Sequence, residues 1–150
     1  EEAANPTAVV VFLINNQNVP DKRIRQAMSY AIDKELLIEQ NMRGNAVASA
    51  TCIIPGSEYD KGIAWSRDVD KAKALLAEAG WDGRTLHMVV TAARESMAAV
   101  IQQNLADAGI TIDVQTVELA TMVSGLQDGT YDLGICGSNA MGYPLWMAGY

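Results

Sequence analysis

The chain has 150 residues, 49% of them hydrophobic, which suffices for one domain with its own core and is too apolar for a disordered segment. Eighteen acidic against eleven basic side chains leave a formal charge of −7, which disfavours nucleic acid and anionic membrane as partners. No apolar run approaches the roughly 20 residues of a membrane-spanning helix, so no direct membrane insertion is expected. The opening EEAANPTA lacks the basic and apolar regions of a signal peptide, and the sequence reads as a mature or excised piece.

Residues 1–7 read as a flexible tail. Ala8 to Ile14, AVVVFLI, is an unbroken β-branched and aromatic run, the pattern of a strand covered on both faces, and is expected at the centre of a sheet. Asn15 to Val19 is a polar turn. From Asp21 to Leu37 the apolar residues Ile24, Ala27, Met28, Ala31, Ile32 and Leu36 recur three and four apart, predicting one amphipathic helix with Asp21 as its N-cap and Pro20 just outside. Arg23 and Arg25 lie early in it, where the helix dipole does not favour cations, and surface ion pairing is the simplest account. Arg43-Gly44-Asn45 supplies a stop, with Gly44 free to turn left-handed.

Ala50 to Ile54 reads as a short strand ending at Pro55-Gly56, and Ser57 to Arg67 as an ordered loop. Asp68 caps a helix to Ala79, closed by Gly80, with Trp81 folded back on its last turn. Leu86 to Thr91, Glu95 to Ala108 and Ile110 to Val117 form a strand, helix, strand unit long enough for a right-handed parallel crossover. A helix from Leu119 to Leu126 and a strand from Tyr131 to Cys136 follow. The alternation of strand and helix predicts an α/β layered domain, a mainly parallel or mixed sheet flanked by helices.

Few residues carry chemistry. His87 is the single histidine and lies within a strand, so neither a metal site nor any other cofactor is expected. Gly134 to Ser138 faintly resembles the turn that exposes a nucleophile in α/β hydrolases, with Cys136 at its centre, but only His87 is available as base. The pairs Asp113 and Glu118, Asp128 and Asp132, and Glu35 and Glu39 read as solvated charges, and no catalytic residue is assigned. Cys52 and Cys136 can form a disulfide only if their strands are neighbours at one sheet edge, with α-carbons within about 4.4 to 6.8 Å. The segment from Cys136 to Trp146 differs in kind, because it follows the carboxyl end of a strand and gathers Asn139, Met141, Tyr143 and Trp146 between flexible glycines. Those groups suit a small organic ligand, and they equally suit a surface loop packed on its own domain.

Four stretches in order carry a family resemblance: the helix DKRIRQAMSYAIDKELL, then DVDKAKALLAEAGW, IQQNLADAGITIDVQTVE and YDLGICG. They resemble the extracellular solute-binding proteins of family 5, receptors of dipeptide, oligopeptide and nickel ABC importers. The resemblance implies one lobe of a type II periplasmic binding protein, residues 8–150, truncated at its C-terminus. It also implies a periplasmic or extracellular location, a small-molecule or short-peptide solute, and ABC permease subunits as partners. In peptide-binding members the loop after the last strand carries an acidic residue for the ligand's α-amino group. Here that loop reads GSNAMGYP, without Asp or Glu, which puts peptide specificity in doubt. A small enzyme using Cys136 and a free-standing ligand-binding domain remain as alternatives.

Overall fold

The computed structural model describes residues 8–49 and 65–139. Four strands and five α-helices follow one another along the described chain: β1 (Ala8–Ile14), α1 (Lys22–Ala31), α2 (Lys34–Met42), α3 (Val69–Ala79), β2 (Leu86–Val90), α4 (Glu95–Asp107), β3 (Ile112–Thr116), α5 (Leu119–Gln127) and β4 (Leu133–Asn139). A 3-10 turn, Ala92–Arg94, joins β2 to α4. The strands form one mixed sheet in the order β1, β4, β2, β3. β2 runs parallel to β3, as the crossover length predicts, and also to β4, while β1 runs antiparallel to β4.

Among the described residues β1 is therefore an edge strand and not the central one expected, while the expected strand Ala50 to Ile54 lies outside the described residues. Its apolar run reflects faces that meet hydrophobic material, and Val10, Phe12 and Ile14 do pack against the main core. Burial of a face says nothing about how many strands lie beside it. The inner positions belong to β4 and β2, and Leu133 and Ile135 of β4 are buried.

The predicted helix from Asp21 to Leu37 is two helices. α1 ends at Ala31, and Asp33 starts α2 by accepting a hydrogen bond from the Leu36 amide at 2.9 Å. Buried Asn104 of α4 accepts the Asp33 N–H at 2.7 Å, which holds the break in place. A short carboxylate that can bond the backbone locally competes with helix continuation, and here it wins because a partner on another helix takes the remaining amide. The buried face of α1, Ala27, Met28 and Ala31, is the one the periodicity marks. Leu36 and Leu37 belong to the second helix, where no residue is fully buried.

α3 begins and ends as its sequence signals. Asp68 accepts the Lys71 amide at 2.9 Å, and at the far end the Gly80 and Trp81 amides donate to Ala77 and Leu76 in a Schellman closure. Helices α1, α3 and α4 cover one face of the sheet over a core that includes Met28, Leu76, Leu86, Met88, Ile101, Leu105 and Leu133. α5 covers the other face with a smaller group, Val89, Met122 and Tyr131. The Asn-rich turn works as a clasp. Asn15 and Asn18 donate to the carbonyls of Leu126 and Gly129 at 3.1 and 2.9 Å, tying the start of α1 to the turn before β4.

Candidate functional site

β2, β3 and β4 run in the same direction, so their carboxyl ends share one edge of the sheet, where open α/β sheets present ligands. Beyond β2 and β3 lies an open depression of about 410 Å³, lined by Thr91, Ala92, Ala93, Thr116, Val117 and Glu118. It joins the loop after β2 to the loop after β3, two places that no sequence motif marks. A signal was present nonetheless, since the rule that selects the residues after β4 applies equally to the ends of its parallel neighbours.

Arg94 stands at the same edge, on the β4 side. The turn before α4 fixes its backbone, with the Arg94 amide donating to the Thr91 carbonyl at 2.8 Å. Its guanidinium lies across Gly137 of β4, so closely that a Cβ built there would sit 2.7 Å from one terminal nitrogen. The other terminal nitrogen contacts the Met97 sulfur at 3.7 Å, and no carboxylate pairs with Arg94 among the described residues.

Of the residues expected to form the site, Asn139 is the last residue of β4, opposite Ala8 in the antiparallel register and at the carboxyl edge. Met141, Tyr143 and Trp146 lie outside the described residues, and so does Cys52 of the possible disulfide. Cys136 is half-buried beside the small cluster under α5, its sulfur 3.6 Å from the Gly137 carbonyl oxygen.

The nucleophile reading finds no base for Cys136. His87 is at the opposite end of the neighbouring strand, because Val89 is in register with Gly134; the four residues from His87 to the level of Cys136 span about 13 Å. Its imidazole is half exposed and faces Asp113 of β3 at 3.4 Å. Among the described residues no three His, Cys, Asp or Glu side chains gather as metal ligands.

One carboxylate departs from the solvated reading. Asp132 is buried before β4, where one carboxylate oxygen accepts the His87 amide at 2.8 Å and its own amide donates to the His87 carbonyl at 2.9 Å. Arg84 approaches the other oxygen at 3.6 Å. Asp132 thereby aligns β4 with β2 at the end remote from the depression. Asp128, with which the sequence suggests pairing it, is an exposed turn residue that accepts the Thr130 hydroxyl and amide at 2.6 and 2.9 Å.

The profile of the bacterial extracellular solute-binding proteins, family 5 Middle, matches residues 2–146. The chain belongs to this family. That assignment places it among proteins of the periplasm or the extracellular face, and no described helix is long and apolar enough to cross a membrane. A putative ABC transporter peptide-binding protein of Brucella ovis is 35% identical over 138 residues, 83% of this chain and 26% of the relative. The oligopeptide-binding protein AppA of Bacillus subtilis is 28% identical over 144 residues, 78% of this chain and 25% of that one. Among solved structures, AgaA of A. tumefaciens R10 in complex with agropinic acid superposes with a TM-score of 0.73 at 27% identity, over 89% of this chain and 29% of AgaA. The chain thus spans about a quarter to a third of the length of the relatives it matches.

Proposed function

We propose that this chain is one lobe of the substrate-binding receptor of an ABC importer, which captures a peptide-like or other small organic solute between two lobes and delivers it to a membrane permease. The observation that carries the reading is the shared carboxyl edge of β2, β4 and β3, where the depression lies and where β4 ends at Asn139, within a chain of family 5. Closure of two lobes about a hinge then supplies binding through packing and a few directed hydrogen bonds. No covalent step is required, and Cys136 has no role as a nucleophile.

AppA is named for oligopeptides and AgaA is in complex with agropinic acid, so relatives of comparable identity take different solutes. The loop GSNAMGYP, with no carboxylate for an α-amino group, favours a solute recognised by other means than a peptide N-terminus. Asn139, Met141, Tyr143 and Trp146 are proposed to line the solute's path on this lobe.

Native mass spectrometry of the full-length receptor purified from its own host tests this. A co-purified small molecule that is lost in Tyr143→Ala and Asn139→Ala variants of unchanged melting temperature is the expected result. Turnover of any substrate that a thiol-blocking reagent abolishes, or a receptor that binds no small solute, overturns it.

A further inference from the structure

Of the five described α-helices, α2 is the most loosely seated. Each of the other four buries at least two residues fully, Met28, Leu76, Leu105 and Met122 among them, whereas every residue of α2 keeps part of its surface exposed. The sequence KELLIEQNM is the cause. Leu36, Leu37 and Ile38 follow one another at steps of about 100° around the helix and cannot share one buried stripe. Leu37 and Met42 pack against the main core from its margin and stay partly exposed.

α2 packs on α4, and the two run antiparallel: Asp33 meets Asn104 and Asn41 meets Ser96, with eight residues, about 12 Å, between the meeting points on each helix. The two ends are held unequally. At the Asp33 end its amide donates to Asn104 at 2.7 Å, and the half-buried Lys34 ammonium donates to the Ser29 and Trp65 carbonyls at 3.3 and 3.0 Å. At the other end, among the described residues, one exposed side-chain bond joins α2 to α4, the Ser96 hydroxyl to Asn41 Oδ1 at 2.6 Å. Just beyond it Arg43 closes the helix at φ 52°, a left-handed conformation that strains a residue carrying a Cβ. Release of that end relieves the strain.

The weakly held end lies at the carboxyl edge of the sheet. Ser96 is in the first turn of α4, three and four residues after Ala93 and Ala92, which line the depression. Segments with few buried apolar groups and exposed hydrogen bonds open locally at a lower free energy than the core.

We infer that α2 is a flap: it pivots at Asp33 and opens without unfolding of the core, its Asn41 end swinging away from Ser96 at the rim of the depression. Opening frees the Ser96 hydroxyl and uncovers the margin of the core that Leu37 and Met42 close. The edge then has a floor fixed by the sheet and a rim that moves, whichever solute the receptor takes.

Hydrogen exchange of the full-length receptor, read by mass spectrometry without added solute, tests the flap. Residues 38–42 are expected to exchange roughly tenfold or more faster, relative to their intrinsic rates, than the buried turns of α4 at residues 98–105. Ser96→Ala and Asn41→Ala remove the same bond from opposite sides. Each is expected to speed exchange of α2 by about twofold to tenfold while α1, α3 and α4 keep their rates. Protection of α2 equal to that of α4 overturns the flap, and so does exchange of α2 that neither substitution changes. A speeding of all the helices together overturns it too, because α2 would then open only as part of the unfolding of the core.

Discussion

Asp132 joins two strands with three contacts, and its substitution separates a structural carboxylate from a functional one. Asp132→Ala leaves the His87 amide without its acceptor and Arg84 without its neighbour, which costs about 1–3 kcal/mol for an unsatisfied buried donor. A fall in melting temperature with solute affinity preserved in the full-length receptor is expected, and thermal denaturation beside calorimetry checks both. Nothing in the local sequence distinguishes Asp132 from Asp128, four residues earlier: the first is buried by strands remote in the chain, the second serves its own turn. Titration reports on the turn. The Thr130 hydroxyl, then the Thr130 amide, hold Asp128 below the ordinary carboxylate value of 3.8, and the Arg23 guanidinium, then the Arg23 amide, do the same for Asp21. With a folded value below the unfolded one, each contributes stability that is present above pH 3.8 and is lost as the pH falls through the lowered value. The parent should therefore lose more stability between about pH 5 and about pH 2 than Asp128→Asn, which keeps an acceptor but does not titrate. Equal losses in denaturant melts of the two proteins would remove Asp128 from the account.

At the level of elements, type was legible and position was not. Apart from α2, which the periodicity merges with α1, and the shifted bounds of β4, each described helix and strand lies near where apolar periodicity and capping residues predict it, because those are local properties: Asp21 and Asp68 cap, Gly80 closes, and Ala27, Met28 and Ala31 form the buried stripe. The break at Asp33 depends on Asn104, seventy-one residues away, and the edge location of β1 depends on a pairing with β4 that closes only when the rest of the sheet exists. No window of sequence contains either partner. Gly125 shows the same dependence in a helix. An alanine there gains helix propensity of about 1 kcal/mol, but its Cβ would stand 2.5 Å from Cδ2 of Tyr131 and nearer still to Cε2. Tyr131 is buried between α5 and the sheet with Val89 and Met122, and its hydroxyl reaches Gln115 at 3.4 Å, so the ring has little room to retreat. Overpacking of this kind costs about 1–3 kcal/mol, more than propensity returns. Gly125→Ala is expected to melt at a lower temperature than the parent; a rise would mean that α5 shifts on the sheet at no cost.

For the molecule as a whole, the carboxyl edge is open among the described residues, and on the proposed receptor reading one lobe offers one wall of the cleft. The depression of about 410 Å³ is lined by six residues at and beyond the ends of β2 and β3, and Leu119 and Val123 on the adjoining α5 stay exposed. A small solute seated there keeps much of its surface in water, whereas binding sites for small molecules usually enclose most of their ligand. Association also costs several kcal/mol of lost translational and rotational freedom before any contact is counted, so half the contacts yield far less than half the affinity. The 150-residue chain is therefore expected to fold, with a cooperative thermal transition, and to bind the solute of the full-length receptor at least a hundredfold more weakly, about 3 kcal/mol. Calorimetric titration of both forms with the same solute measures the difference. Tight stoichiometric binding to the short chain would show that this lobe holds a complete pocket, and closure against a second lobe would then be unnecessary for capture.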